Sequence, residues 1–170
     1  MLLYLDLDDV VFDTTDYLEA ELGWVKGSAG TVYDSFVERD DLGSMSDMLD
    51  YTKIPLKMSV SQIELLNSIF SIVFCTEYCQ EKEWVRKQFI VRKLFDIDRI
   101  IGINRTIKRK YSLDLSDGIL VDDNFGLLQK CNAKYKIWYT PIEEERQGII
   151  TVNDFVGLHT VLERLRGIIS

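Results

Sequence analysis

Three apolar runs in this chain stop on residues that could do chemistry, and a basic turn stands before the last of them. Leu2-Leu3-Tyr4-Leu5 runs into Asp6 and Asp8, Ile72-Val73-Phe74-Cys75 into Thr76, and Ile119-Leu120-Val121 into Asp122 and Asp123. The basic turn is Lys108-Arg109-Lys110. Asp6 and Asp8 are two apart, so in extended backbone their side chains leave on one face. Two carboxylates held close repel by about 4 kcal/mol at ~4 Å for an effective dielectric near 20. A cation relieves such a pair, and hard oxygen ligands favour Mg²⁺. Any one of these endings has a plainer reading, because Asp, Ser and Thr after a strand often cap the next helix. Four such places in this order, at one edge of one sheet, exceed what capping explains.

The elements that must position these residues follow from periodicity. The apolar runs are short and lack helical spacing, which suits central strands of a parallel sheet. Strands are expected at 2–5, 71–76, 99–103, 118–121 and 135–139. Between them, helices are expected at 14–22, opening on Thr14 or Thr15, and at 62–69, where Ser61 and Glu64 fit a capping box. Further helices are expected at about 80–95, with Trp84, Val85, Phe89, Leu94 and Phe95 buried, at 125–132, and at about 154–166 behind Asn153 or Asp154. The loop around 141–148, with Glu143-Glu144-Glu145, reads as solvated. Alternating strands and helices mean an α/β fold, a Rossmann-like parallel sheet with helices on both faces and right-handed crossovers. In such sheets ligands gather beyond the carboxyl ends of the strands. Residues 23–60 differ in texture, with Gly23, Gly27, Gly30, Gly43 and Pro55, and read as an irregular, mainly helical insertion with short segments near 31–38 and 44–51. The expected division is a core of 1–12 and 70–170 with a small cap, 13–69, inserted after the first strand.

The 170 residues carry a net charge of −8, which argues against a long nucleic-acid track or a membrane surface, since both need a basic face. A phosphate substrate stays open, because a bound metal reverses the local sign. Cys75, Cys79 and Cys131 are odd in number and there is one histidine, His159. That pattern points away from structural zinc and from a disulfide framework. No signal peptide and no apolar run of about 20 residues is read, so a cytoplasmic protein is expected. Asp9 is expected in an exposed turn, Asn124 as a helix cap, Cys75 in the core, and His159 in a packing or surface role.

The ordered set resembles the haloacid dehalogenase-like superfamily in its phosphatase branch. Asp6-Leu7-Asp8-Asp9-Val10 matches that family's first motif, Thr76 the second, and Asp122-Asp123 the fourth. The third is a lysine; Lys108 fits by its offset to Tyr111, with Lys110 close behind. The resemblance implies that Asp6 attacks phosphorus and that Asp8 serves as acid and then base. Thr76 and a lysine would hold the phosphate. Mg²⁺ would be held by Asp6, the Asp8 backbone carbonyl, Asp122 and Asp123. A carboxylate at position 8 favours phosphoester hydrolysis over dehalogenation.

Within that family the start, the small cap and the length look most like the 5′(3′)-deoxyribonucleotidase group, implying a small phosphorylated substrate, best a nucleoside monophosphate. Trp24, Tyr33, Phe36 and Tyr51 could stack a base, though core packing of the cap weighs more. Phosphatases of other small esters, a polynucleotide 3′-phosphatase, and a non-catalytic binding protein of this fold are the alternatives.

Overall fold

The short apolar runs are strands because both their faces are covered. A computed structural model describes residues 1–22, 49–144 and 146–169. Its sheet is built from β1 (Leu2–Leu5), β2 (Ser71–Tyr78), β3 (Ile100–Asn104), β4 (Gly118–Asp122), β5 (Tyr135–Tyr139) and β6 (Ile150–Val152). They lie in the order β3-β2-β1-β4-β5-β6, every pair parallel. The helices are α1 (Thr14–Leu22), α2 (Val60–Ile69), α3 (Glu81–Phe95), α4 (Phe125–Lys130) and α5 (Phe155–Ile169), with one 3₁₀ turn at Lys110–Ser112.

Strand alternation sorts the core into two layers. Leu3, Leu5, Ile72, Phe74, Ile119 and Val121 pack with Ile63 and Leu66 of α2, Ile90 and Val91 of α3, and Leu158 and Leu162 of α5. Tyr4, Val73, Cys75 and Leu120 face the other way, onto Leu127 and Leu128 of α4. Connections that step from β1 toward β3 thus lie on one face and those that step back lie on the other, as right-handed crossovers require. Gly118 lets β4 close on β1, since a Cβ there would fall 2.6 Å from the Tyr4 ring and 2.8 Å from the Leu2 carbonyl oxygen.

Several boundaries differ from the sequence reading. The cap of α2 is Ser59, not Ser61. Its hydroxyl accepts from Gln62 N while the Gln62 side chain accepts from Ser59 N. β2 runs two residues past Thr76 because Thr76, Glu77 and Tyr78 still pair with Gly102, Ile103 and Asn104 of β3. β6 was not expected; Ile150–Val152 adds to β5 at the sheet edge. On α3, Val85 and Phe89 are exposed, and the inward face is Glu83, Lys87, Ile90, Val91 and Phe95. Two charged residues lie on that face because they have charged partners inside. The expected segment at 31–38, most of that at 44–51, and Trp24, Tyr33, Phe36 and Glu145 lie outside the described residues. No helix among the described residues is long and apolar enough to cross a membrane.

Candidate active site

Register builds the site. Leu5 pairs with Val121, so the next residue of each strand, Asp6 and Asp122, emerges at the same level of the sheet edge. The Asp6 N–H still donates to Val121 O at 3.0 Å, and the Asn124 N–H caps Asp122 Oδ1 at 2.8 Å. The backbone of Asp123 is fixed by Trp138 Nε1, which donates to its carbonyl at 2.8 Å. One carboxylate oxygen from each of Asp6, Asp122 and Asp123 lies within 4.8 Å of the others.

Lys110, not Lys108, is the lysine of this cluster. Its Nζ lies 2.8 Å from Asp6 Oδ1 and 2.6 Å from Asp122 Oδ2, and the residue is buried. Lys108 is exposed, in the loop after β3. The distinction is tertiary: Glu77, at the end of β2, accepts from the Lys110 N–H at 2.7 Å and from Arg109 Nε at 3.1 Å. Those bonds turn the Lys110 side chain inward. Burial, opposed by Lys110 and reinforced by Asp122 and Asp8, pushes the Asp6 carboxyl up to about 7. Burial, with Asp122, Asp9 and Asp6 nearby, also holds Asp123 well above the usual carboxylate range.

Asp8 borders the same cleft, but its carboxylate is engaged elsewhere. Oδ1 accepts from Thr14 Oγ1 at 3.0 Å and from Tyr51 OH at 2.7 Å, and Oδ2 accepts from Lys87 Nζ at 2.6 Å. Burial would raise its pKa, yet the Lys87 charge and these hydrogen bonds carry it below the ordinary value. Lys87 also donates to Thr76 Oγ1 at 3.1 Å and to Glu77 O at 2.6 Å, with Glu83 Oε1 at 3.0 Å. Thr76, expected at the phosphate, is instead fully buried and outside the cleft lining, its hydroxyl donating to Glu77 O at 3.3 Å. Asp9 lies in a turn, as expected, but is half-buried rather than exposed. It sits at φ 57 and its carboxylate caps α1, accepting from Thr15 N at 2.8 Å and from the Thr15 hydroxyl. Asn124 caps α4 through Leu127 N at 3.0 Å, and Cys75 is buried in the core.

Sequence reasoning missed Lys87, Glu83, Glu77 and the role of Tyr51. A usable signal existed for two of them: Glu83 and Lys87 are i,i+4 partners continuing the Ile90–Val91 stripe of α3. Tyr51 left no such trace, because only the fold carries it 43 positions along the chain to Asp8. Its ring packs edge-on against Phe12, centroids 5.4 Å apart, so it is not a free base-stacking platform.

The small cleft, about 40 Å³, is lined by Asp6, Asp8, Asp9, Glu77, Arg105, Lys110, Asp122 and Asp123 among others. Its donor set fits a hard divalent cation. Three carboxylates gather here, two of them paired with Lys110, and Asp6 Oδ1, although 2.8 Å from Lys110 Nζ, is buried without a hydrogen bond of good geometry. A buried oxygen left so calls for another partner, and oxygen-only ligands suit Mg²⁺.

Three solved structures share the fold. A haloacid dehalogenase-like family hydrolase from Xanthomonas campestris aligns over 98% of this chain and 97% of its own, at 13% identity and TM-score 0.56. A HAD hydrolase, family IA, variant 3, from Entamoeba histolytica aligns over 91% and 93%, at 14% identity and TM-score 0.53. A haloacid dehalogenase-like hydrolase from Burkholderia xenovorans aligns over 95% and 94%, at 11% identity and TM-score 0.53. No protein-family model matches the sequence, and no curated protein matches it. At such identities the likeness establishes the fold: this chain has the fold of haloacid dehalogenase-like hydrolases.

Proposed function

We propose that this chain, having the haloacid dehalogenase-like fold, is a Mg²⁺-dependent phosphomonoester hydrolase working through an aspartyl-phosphate on Asp6. The observation that carries the reading is the gathering of Asp6, Asp122 and Asp123 carboxylate oxygens within 4.8 Å of one another, with Lys110 paired to Asp6 and Asp122. Asp6, Asp122 and Asp123, with the Asp8 backbone carbonyl, would hold Mg²⁺, which when bound neutralises charge on the phosphoryl oxygens.

The chain's own residues then divide the work. Asp6 attacks phosphorus in line as the ester P–O bond breaks. Lys110 offsets the charge between this nucleophile and the phosphate. Asp8 gives a proton to the leaving alkoxide, then takes one from the water that cleaves the acyl phosphate. Such acid–base help is worth about 10²–10⁴-fold. Because Asp8 rests ionised, it is ready for the second half-reaction. For the first, the proton enters with the substrate, whose monoanion has a second pKa near 6. The hydroxyl donors nearest this chemistry are Thr14 and Tyr51, on the Asp8 carboxylate, and Thr76 acts through Lys87, which donates to its hydroxyl.

The substrate we favour is a nucleoside monophosphate, on the strength of the Asp-Leu-Asp-Asp-Val start and the insertion at 13–69. The acidic balance of the chain disfavours a long polynucleotide. The test is phosphate release from an aryl phosphate, a deoxynucleoside monophosphate and a 3′-phosphorylated oligonucleotide. Turnover is expected with Mg²⁺, abolished by chelator, and lost by at least about 10³-fold in a folded Asp6→Asn protein. An active Asp6→Asn protein, or inertness toward all phosphate esters, would refute the assignment.

A further inference from the structure

Each of the two carboxylates of the first strand end has its own lysine, and the two lysines come from opposite faces of the sheet. Lys110, leading the 3₁₀ turn, sits between Asp6 and Asp122 at 2.8 and 2.6 Å. Lys87, from α3, sits between Asp8 and Glu83 at 2.6 and 3.0 Å. Asp8 is only two residues from Asp6 and borders the same cleft, yet the converging group is Asp6, Asp122 and Asp123 without it. The difference lies in what holds Asp8: Thr14 and Tyr51 occupy Oδ1, and Lys87 occupies Oδ2.

We propose that Lys87 is a positioning residue that withholds the Asp8 carboxylate from the divalent cation and keeps it for the substrate. This rests on the phosphatase reading above. A carboxylate beside a cluster of three others and a cation is drawn into it, and affinity rises with the number of charged ligands. A fourth carboxylate on the metal would tighten binding and remove the acid–base group from the ester. Lys87 prevents this because an ammonium can only donate, and here it is itself anchored. Glu77 O accepts from it at 2.6 Å, Thr76 Oγ1 at 3.1 Å, and Glu83 pairs with it. Glu83 is fixed in turn by the Cys79 N–H at 3.0 Å. Anchored by β2 through Glu77 O and Thr76 Oγ1 and by α3 through Glu83, the lysine cannot follow Asp8 toward the metal.

The experiment is calorimetric titration of the full chain with Mg²⁺ alone, in wild type, Lys87→Met, Asp8→Asn and Lys87→Met/Asp8→Asn, with aryl phosphate turnover in parallel. Removing the lysine charge by itself would tighten Mg²⁺ equally with either residue at position 8. Recruitment of the Asp8 carboxylate tightens it only when Asp8 is present. The expected result is roughly tenfold tighter Mg²⁺ in Lys87→Met, no such gain in the Asp8→Asn background, and kcat lowered more than KM is changed. Equal gains in both backgrounds, or none, overturn the inference while leaving the phosphatase reading intact. A wild type that binds no Mg²⁺ overturns both. Should Lys87→Met fail to fold, Glu83→Gln/Lys87→Met removes a balanced pair and keeps an acceptor for Cys79 N, with the same outcomes expected.

Discussion

Lys108 and Lys110 differ by two positions and by everything that matters electrostatically. Lys110 is buried between Asp6 and Asp122, while Lys108 stands in solvent. Lys110→Ala is therefore expected to lower turnover by about 10²–10³-fold, the usual loss of one preorganised charge donor. Lys108→Ala should stay within about twofold of wild type. Aryl phosphate kinetics on both purified variants decides it, and a loss in Lys108→Ala as large as or larger than that in Lys110→Ala would overturn the preference for Lys110. Asp9 teaches the same lesson in the other direction. It lies in the turn its position suggests, but the positive φ folds its carboxylate back as the cap of α1. Side-chain duty at this scale is set by which donor the backbone presents, and local sequence spacing does not reveal it.

At the scale of elements, the site exists because two strands stop together. β1 and β4 are locked in register from Leu2–Gly118 to Leu5–Val121, so the acidic residues after them arrive at one level. The lock depends on Gly118, where the Leu2 carbonyl and the Tyr4 ring leave no room for a methyl group. Gly118→Ala is expected to destabilise the fold by about 1–3 kcal/mol, as overpacking of a close backbone approach does. Urea denaturation measures that loss; stability equal to wild type would mean that β4 can shift without cost. α3 works the same way. Its inward stripe begins as Glu83 and Lys87 and continues as Ile90 and Val91, so one helix supplies a core face and a site residue. Glu77 ties the two halves together, since it prolongs β2 and holds the N–H of Lys110.

For the whole molecule, the excess of acid has a local focus. Burial, with Asp122 and Asp8 adding to it and Lys110 opposing, lifts Asp6 from 3.8 to about 7, so the folded state keeps a proton that the unfolded chain has lost. A proton held only by the folded state stabilises it at low pH, and that contribution falls as pH rises. In chelator, the melting temperature of wild type relative to Asp6→Asn should thus decline from about pH 4 to about pH 7 and level off above. Mg²⁺ should reverse the decline at neutral pH by stabilising the ionised cluster, by RT ln(1 + [L]/Kd). Melting curves across pH, with and without Mg²⁺, test this. A difference between the two proteins that ignores pH would mean that Asp6 carries no raised proton affinity.

Much of this architecture was legible in the chain itself. Short apolar runs ending in Asp6, Thr76 and Asp122 announce central parallel strands, because a strand covered on both faces has no polar side to display. The alternation with helices fixed the α/β class, and Asn124 marked a helix start through its own side chain. Such features are local: each depends on neighbours a few residues away. β6, the length of β2, the meeting of Lys87 with Asp8, the preference for Lys110, and the hydroxyl of Tyr51 on Asp8 were decided only by the tertiary structure. These depend on distant stretches of chain, Lys87 reaching 79 positions back to Asp8, and a buried charge is tolerated only where such a partner waits for it. Sequence spacing can place a carboxylate at a sheet edge, but which cation meets it there is a property of the packed fold.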